Sequence, residues 1–231
     1  MSAAEVMQRR RPTRLGAVAD PAAETDHRIA NSLALIVSLV KTHARAVSRL
    51  DADQSPQQVS LLLEEVAGRI ETVGRLHRLL SRSGAEAGTD LSAYLQEVCD
   101  GLLSALSSAE RFNIVHVPTG GCIIPARQAV PLGLIVCELV TNSVKYSHPA
   151  NTRGDVGVAC GREPDGTLFV EVADDGVGLP EGFDPAKDGG YGLRLVRGLA
   201  QQLNASCAFH NHGLGLRFRL VVPASELEMD A

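Results

Sequence analysis

A glycine-rich segment between two regular elements places the strongest limit on the fold. It is DDGVGLPEGFDPAKDGGYGL, and it contains an Asp-x-Gly-x-Gly motif and a Gly-x-Gly-Leu motif: Asp174, Gly176, Gly178, Gly190, Gly192 and Leu193. The preceding TLFVEVA predicts a strand, and the following YGLRLVRGLAQQL predicts a helix. A loop that leads into a helix N-terminus is typical of phosphate binding. Two ordinary glycine-rich turns are the alternative, since short glycine patterns are weak evidence alone.

The chemistry of this segment favours a nucleotide. Asp174 ends the predicted strand, and an ionised carboxylate accepts hydrogen bonds without donating them. It therefore suits the exocyclic amine of adenine. Gly176 and Gly178 let the backbone approach a ligand, and Gly190 and Gly192 precede a helix whose N–H groups favour phosphate. Residues 179–189 between the motifs predict a short mobile lid.

A predicted helix upstream carries a polar stripe on an otherwise apolar surface. In LGLIVCELVTNSVKY the candidate residues are Glu138, Asn142, Lys145 and Tyr146, and the spacing puts the first three on one face. The amide oxygen of Asn142 suits Mg²⁺, and Lys145 supplies positive charge for phosphates. Glu138 is a candidate to position a metal-bound water. A solvated surface stripe is the alternative, although the flanking sequence is very apolar.

The N-terminal third predicts two long amphipathic helices, at about residues 22–50 and 57–81, with a turn at 51–56. They form an antiparallel helical hairpin. Each apolar stripe is too broad for one partner helix, which predicts a symmetric dimer with a four-helix bundle.

After a linker at 83–90, helices and strands alternate. The pattern predicts an α+β sandwich with helices on one face of the sheet. The predicted elements are helices at 91–106, 127–146 and 191–203, short strands at 112–117 and 122–125, and strand hairpins at 154–163 with 167–173 and at 206–212 with 214–223.

Charge and cysteine usage narrow the class of protein. The net charge of −5 argues against general nucleic-acid binding. No apolar run reaches the length of a membrane span. The five cysteines have no paired spacing, which is typical of reduced thiols in a cytosolic protein. We therefore expect a cytoplasmic protein without a membrane span.

Three motifs in order resemble the N, G1 and G2 boxes of the Bergerat ATP-binding domain, which sensor histidine kinases and type II topoisomerases share. They are ELVTNSVKY, DDGVGLP and GGYGLRLV, and the resemblance covers roughly residues 90–223. It implies ATP and Mg²⁺ as cofactors, with Asn142 carrying the metal through the ATP phosphates. It also implies that Asp174 recognises adenine and that the four glycines shape the loop around the nucleotide.

A histidine near the start of the first predicted helix lies in DHRIANSLALI. His27 and Asn31 are four residues apart and share a helix face. A neutral imidazole is a nucleophile near pH 7 and can accept a phosphoryl group. Arg28 is placed to neutralise phosphate charge, and Asp26 to orient the ring or accept its proton. A helix cap or a solvated histidine is the alternative.

The His-Arg-x-x-Asn pattern resembles the phosphoacceptor box of the HisKA_2 and HWE histidine kinases. The chain has no Trp, so the Trp-x-Glu signature of HWE kinases is missing. The resemblance implies a dimeric two-component histidine kinase that phosphorylates His27 and passes the phosphate to an aspartate in a response-regulator receiver domain. Input would come from the N-terminal arm, a partner or a separate sensor protein. The alternatives are a histidine phosphotransferase relay and a pseudokinase scaffold with a non-catalytic ATPase-like domain.

The expected domain organisation follows from these motifs. We predict five parts: a flexible arm (1–20), a dimerisation and phosphotransfer hairpin (21–82), a linker and hinge (83–90), an ATP-binding domain (91–223) and a C-terminal tail (224–231).

Overall fold

The computed structural model describes residues 36–37, 40–41, 56–82, 88–105, 111–118, 121–149 and 152–228. Residues 36–37 and 40–41 are helical, and the rest of the first predicted helix lies outside the described residues. The candidate phosphoacceptor residues Asp26, His27, Arg28 and Asn31 also lie outside them. The structure therefore leaves their roles as predictions.

Four α-helices and seven strands follow in chain order from residue 56. The helices are α1 (Pro56–Arg82), α2 (Leu91–Ala105), α3 (Ala126–Tyr146) and α4 (Tyr191–Gln202). The strands are β1 (Thr89–Asp90), β2 (Phe112–Val117), β3 (Ile123–Ile124), β4 (Gly154–Arg162), β5 (Leu168–Asp174), β6 (Ser206–Asn211) and β7 (Leu216–Val222). A 3₁₀ turn, Ala224–Leu227, ends the described chain.

The main sheet has five strands in the order β2-β4-β5-β7-β6. Strand β2 is parallel to β4, and the other neighbours are antiparallel. Burial alternates along β2 and β5, as expected when one face of a sheet is covered. Helices α2, α3 and α4 contact strands of this sheet. The architecture confirms the predicted α+β class and both predicted strand hairpins.

Two short segments take on structure that the sequence did not indicate. The end of the predicted linker forms β1, which pairs with β3. Asp90 then begins α2, because its Oδ1 accepts the backbone N–H of Ser92 at 3.0 Å. In the predicted C-terminal tail, the 3₁₀ turn buries Leu227. Both segments are too short for a periodic pattern.

The C-terminal half of α1 belongs to the core of the sheet domain. Val73, Leu76 and Leu80 are 1–3% exposed and lie in the same apolar cluster as the residues of α2, α3 and the sheet. Burying each such side chain contributes about 2 kcal/mol. The second helix of the predicted hairpin is therefore packed onto the sheet domain from Val73 to Leu80.

Close packing of α1, α2 and α3 depends on Gly133. A Cβ at this position would lie 2.9 Å from the Tyr94 hydroxyl and 3.1 Å from a methyl group of Leu76. Tyr94 itself is buried, and burial is the main cause that raises the pKa of its phenol. The three helices meet here with no space for another methyl group.

Within the described residues, no helix is both long enough and apolar enough to cross a membrane. None of the five cysteines forms a disulfide: Cys99, Cys122, Cys137 and Cys160 are buried, and Cys207 is half-buried.

Gly133→Ala should destabilise the protein by about 1–3 kcal/mol, because the added methyl overpacks the junction of three helices. Gly101→Ala on α2 is the matched control, since a Cβ there meets nothing within 4 Å. It should stabilise the protein by about 0.5–1 kcal/mol through helix propensity. Urea unfolding followed by circular dichroism measures both. Equal stability of the two variants would contradict the packing.

Candidate functional site

A cavity of about 750 Å³ lies between α1, α3, the glycine-rich segment and the start of α4. This volume falls within the usual range for small-molecule sites. It brings together nine of the residues that the sequence singled out: Glu138, Asn142, Lys145, Tyr146, Asp174, Gly178, Gly190, Gly192 and Leu193. Helix α1 adds Glu65, Gly68, Arg69 and Thr72 to the wall, a contribution that the sequence did not indicate.

Asp174 is held at the end of β5 by three hydrogen bonds. Its Oδ1 accepts the backbone N–H groups of Gly176 at 3.1 Å and Leu216 at 3.2 Å. Its Oδ2 accepts the hydroxyl of Ser143 at 2.8 Å. These bonds use three of about four acceptor positions on a carboxylate. The remaining position suits one further donor, such as an amine of a bound base.

Ser143 and Leu216 are site residues that sequence reasoning missed. Ser143 follows Asn142 on α3 and is 8% exposed, so its hydroxyl needs a partner inside the protein. A serine within the buried part of an apolar helix is a signal that was available in the sequence. Leu216 contributes only its backbone, which no side-chain pattern reveals.

Gly176 does not line the cavity. A Cβ at this glycine would lie 2.3 Å from the Cβ of Ser147, at the end of α3. The backbone of Val177 also donates to the Ser147 carbonyl at 2.9 Å. Gly176 therefore permits the close approach of the loop to the end of α3.

Asn142, Glu138 and Gly192 lie together at one end of the cavity. A Cβ on Gly192 would be 2.6 Å from Glu138 Oε2 and 3.6 Å from Asn142 Oδ1. An amide oxygen and a carboxylate thus face the first turn of α4. Gly190 is the N-cap residue of that helix and has no side chain to bond its N–H groups. Such a helix N-terminus favours an anionic group.

The side-chain oxygens of Asn142 and Glu138 suit a metal ion whose other ligands come mainly from a substrate. Among the described residues, no group of three or more His, Cys, Asp or Glu side chains is placed to hold a metal ion. Mg²⁺ is commonly bound by one or two protein oxygens together with substrate phosphates and water. Asn142 and Glu138 match that requirement.

Glu138 is bound by an arginine from α1. Arg69 Nε lies 2.7 Å from Glu138 Oε1, and Arg69 Nη2 lies 3.2 Å from Oε2. The two side chains are 15% and 13% exposed. Burial lowers the pKa of Arg69, but the hydrogen bond and charge of Glu138 outweigh it, so the pKa lies above its ordinary value. A bidentate ion pair thus joins α1 to the cavity.

Cys137 also lines the cavity, but its thiol is inert. Burial, followed by the neighbouring charge of Glu138, raises the pKa of Cys137 to about 12. The nucleophilic form of cysteine is the thiolate, which is scarcely populated near pH 7 at this pKa. Thiolate chemistry is therefore excluded at this wall.

The segment predicted as a lid is folded on itself. The Asp184 carboxylate accepts the N–H of Ala186 at 2.9 Å and pairs with Lys187 at 2.9 Å. The N–H of Asp188 donates to the Asp184 carbonyl at 2.7 Å. Leu179, Phe183 and Gly189 line the cavity from this segment.

Two family models match the chain in the order that the motifs suggest. The HisKA_2 model, described as "Histidine kinase", matches residues 24–106. The HATPase_c model, described as "Histidine kinase-, DNA gyrase B-, and HSP90-like ATPase", matches residues 127–226. The second match contains every cavity residue that the sequence predicted.

Two similar proteins are both named as histidine kinases. The chain is 28% identical over 210 residues to blue-light-activated histidine kinase 2 of Erythrobacter litoralis, covering 88% of this chain and 57% of that protein. It is 31% identical over 181 residues to the sensor histidine kinase PdtaS of Mycobacterium tuberculosis, covering 76% and 33%. The chain thus spans between a third and about three fifths of these relatives.

A solved structure shares the fold. The blue-light activated histidine kinase of Erythrobacter litoralis superposes with a TM-score of 0.64 at 26% identity. The alignment covers 88% of this chain and 59% of that chain.

Arg69→Gln should lower the free energy of unfolding by about 1–2 kcal/mol, because it leaves the half-buried Glu138 carboxylate without its counter-ion. The loss would be larger for a carboxylate that was fully buried. The control is Glu65→Gln, which removes an i,i+4 partner of Arg69 at 3.5 Å and should change stability by at most about 0.5 kcal/mol. Urea unfolding measures both. Similar losses in the two variants would contradict the importance of the Arg69–Glu138 pair.

Proposed function

Because the chain belongs to the histidine kinases, with a HisKA_2-type segment followed by a histidine kinase-like ATPase domain, we propose that it phosphorylates itself on a histidine with ATP as the donor. The cavity is the observation that carries this proposal. Its walls contain residues from the N, G1 and G2 boxes together with α1 of the predicted phosphotransfer hairpin.

ATP lies in this cavity with adenine at Asp174. The open acceptor position of that carboxylate takes the exocyclic amine, while Ser143 holds Oδ2 in place. The phosphates lie toward Gly190 and Gly192, where the N–H groups of α4 point into the cavity. Lys145 and Tyr146 lie on the exposed rim, and Lys145 adds positive charge for the phosphates. Leu193 supplies an apolar wall.

Asn142 would hold Mg²⁺ through its amide oxygen, and Glu138 would position a water bound to the ion. When bound, the metal would supply charge neutralisation at the ATP phosphates.

The phosphoryl group passes to a ring nitrogen of His27. The new bond joins that nitrogen to the γ-phosphorus, the bond from the γ-phosphorus to the bridging oxygen breaks, and ADP leaves. Asp26 orients the ring or accepts its proton, Arg28 neutralises charge on the transferred group, and Asn31 lies on the same helix face as His27. Positioning and charge neutralisation supply most of the catalysis.

The proposed protein partners follow from the assignment of the chain to the histidine kinases. We propose a cytoplasmic homodimer formed through the hairpin (21–82), which the linker (83–90) joins to the ATP-binding domain (91–223). Exposed apolar residues on the helical part, Val37, Val40 and Leu63, support a helix partner. The phosphate then moves to an aspartate of a response-regulator receiver domain, under control of the arm (1–20) or a separate sensor protein.

Incubation with γ-labelled ATP and Mg²⁺ should yield a phosphoprotein that is labile in acid and stable in base, as expected of a phosphohistidine. His27→Gln should abolish the label, and His43→Gln should retain it. Chelation of the metal should also prevent labelling. Full labelling of the His27→Gln protein would exclude His27 as the acceptor.

Asp174→Asn should weaken ATP binding by at least about tenfold, because the amide replaces one acceptor oxygen with a donor at the adenine amine. Asp155→Asn, an exposed carboxylate at the start of β4, should bind ATP like the wild type. Titration calorimetry measures both. A wild-type chain that does not bind ATP would indicate a phosphotransferase relay, and one that binds ATP tightly without labelling would indicate a scaffold.

A further inference from the structure

The lid over the proposed ATP site is attached at both ends by side chains that lie outside the cavity. We propose that Asn211 and Arg197 are positioning residues for the nucleotide, which hold the lid (residues 179–189) in the conformation that covers it. The inference rests on the proposed function, because it takes the ligand of the cavity to be a nucleotide. It assigns a role to two residues that no nucleotide-binding motif contains.

Asn211 holds the first residue of the lid. It is the last residue of β6, and its Oδ1 accepts the N–H of Leu179 at 2.8 Å. Its Nδ2 donates to the Leu179 carbonyl at 3.2 Å. One amide side chain thus satisfies both backbone groups of one residue, as a neighbouring strand would. The preceding Gly178 has φ +72°, and a Cβ there would lie 2.8 Å from Asn211 Oδ1, so the close approach requires glycine.

Arg197 holds the second half of the lid. It lies on α4, and its Nη1 donates to the carbonyls of Pro185 at 2.6 Å and Asp188 at 3.0 Å. The turn built around Asp184 keeps these two carbonyls close together. A charged donor strengthens both bonds. The lid is therefore fastened to the helix whose N-terminus faces the proposed phosphate site.

Both attachments go to backbone atoms, so they fix the path of the chain independently of the lid side chains. Between them, Phe183 and Leu179 are presented to the cavity. A lid that is ordered before the nucleotide arrives loses less conformational entropy when it closes. Releasing either end should therefore weaken binding mainly through faster dissociation, with no nucleotide contact removed.

The test uses the full chain with Mg-ADP and a non-hydrolysable Mg-ATP analogue as probes. Asn211→Ala and Arg197→Met should each raise Kd about five- to thirtyfold, the effect expected from losing two net hydrogen bonds. Asn211→Asp keeps an acceptor for the Leu179 N–H but turns a carboxylate oxygen toward the Leu179 carbonyl, so it should also raise Kd. Arg197→Lys should lie between Arg197→Met and the wild type. Asn113→Ala, an exposed asparagine on the opposite edge strand, is the matched control and should leave Kd unchanged.

Hydrogen exchange of residues 178–190 separates this inference from the proposed function. In the nucleotide-free protein, the Leu179 amide should exchange faster in Asn211→Ala, and the amides of 184 and 186–188 should exchange faster in Arg197→Met. A wild-type chain that fails to bind nucleotide would overturn the proposed function, while the exchange rates still report on the two attachments. Unchanged exchange together with Kd values within twofold of the wild type would overturn the inference.

Autophosphorylation kinetics distinguish positioning from general damage to the fold. The KM for ATP should rise in Asn211→Ala and Arg197→Met, while the labelling rate at saturating ATP and the unfolding midpoint remain close to those of the wild type. A fall in the saturating rate with KM unchanged would count against positioning of the nucleotide.

Discussion

The carboxylate of Asp174 hydrogen-bonds to three separate parts of the ATPase domain and fixes their relative positions. A carboxylate at the end of a largely buried strand must be hydrogen-bonded, since leaving it unsatisfied costs several kcal/mol. Its partners come from α3, from the loop itself and from β7. The distance between α3 and the end of β5, the path of the first glycine motif and the position of the last hairpin are therefore set together.

The regular part of the fold could be predicted because its signal is local. Alternation along β2 and β5 and the polar stripe on α3 each require only a window of about ten residues. These patterns located the described helices from residue 56 onward, the strand hairpins and nine residues of the cavity wall. They did not indicate that Gly176 packs against the end of α3, where a Cβ would lie 2.4 Å from the Ser147 carbonyl oxygen.

The remaining features of the site could not be predicted, because they depend on which distant residues meet. Ser143 hydrogen-bonds to Asp174, which is 31 residues away in the sequence. The corresponding separation is 32 residues for Asn211 and Leu179, and 69 residues for Arg69 and Glu138. A serine, an asparagine or an arginine is acceptable at each of these positions for several unrelated reasons. Only the assembled sheet and the docked α1 identify the partner that each side chain bonds.

Helix α1 runs without interruption over 27 residues, which corresponds to a length of about 40 Å. One half is embedded in the core of the sheet domain through Val73, Leu76 and Leu80, and the other half carries the exposed Leu63. The Arg69–Glu138 pair lies between these halves. Helix α1 therefore joins its exposed half to the core of the ATP-binding domain as one continuous element. A displacement of the exposed half would reach the Glu138 carboxylate through the helix itself, without passing through a turn or a linker.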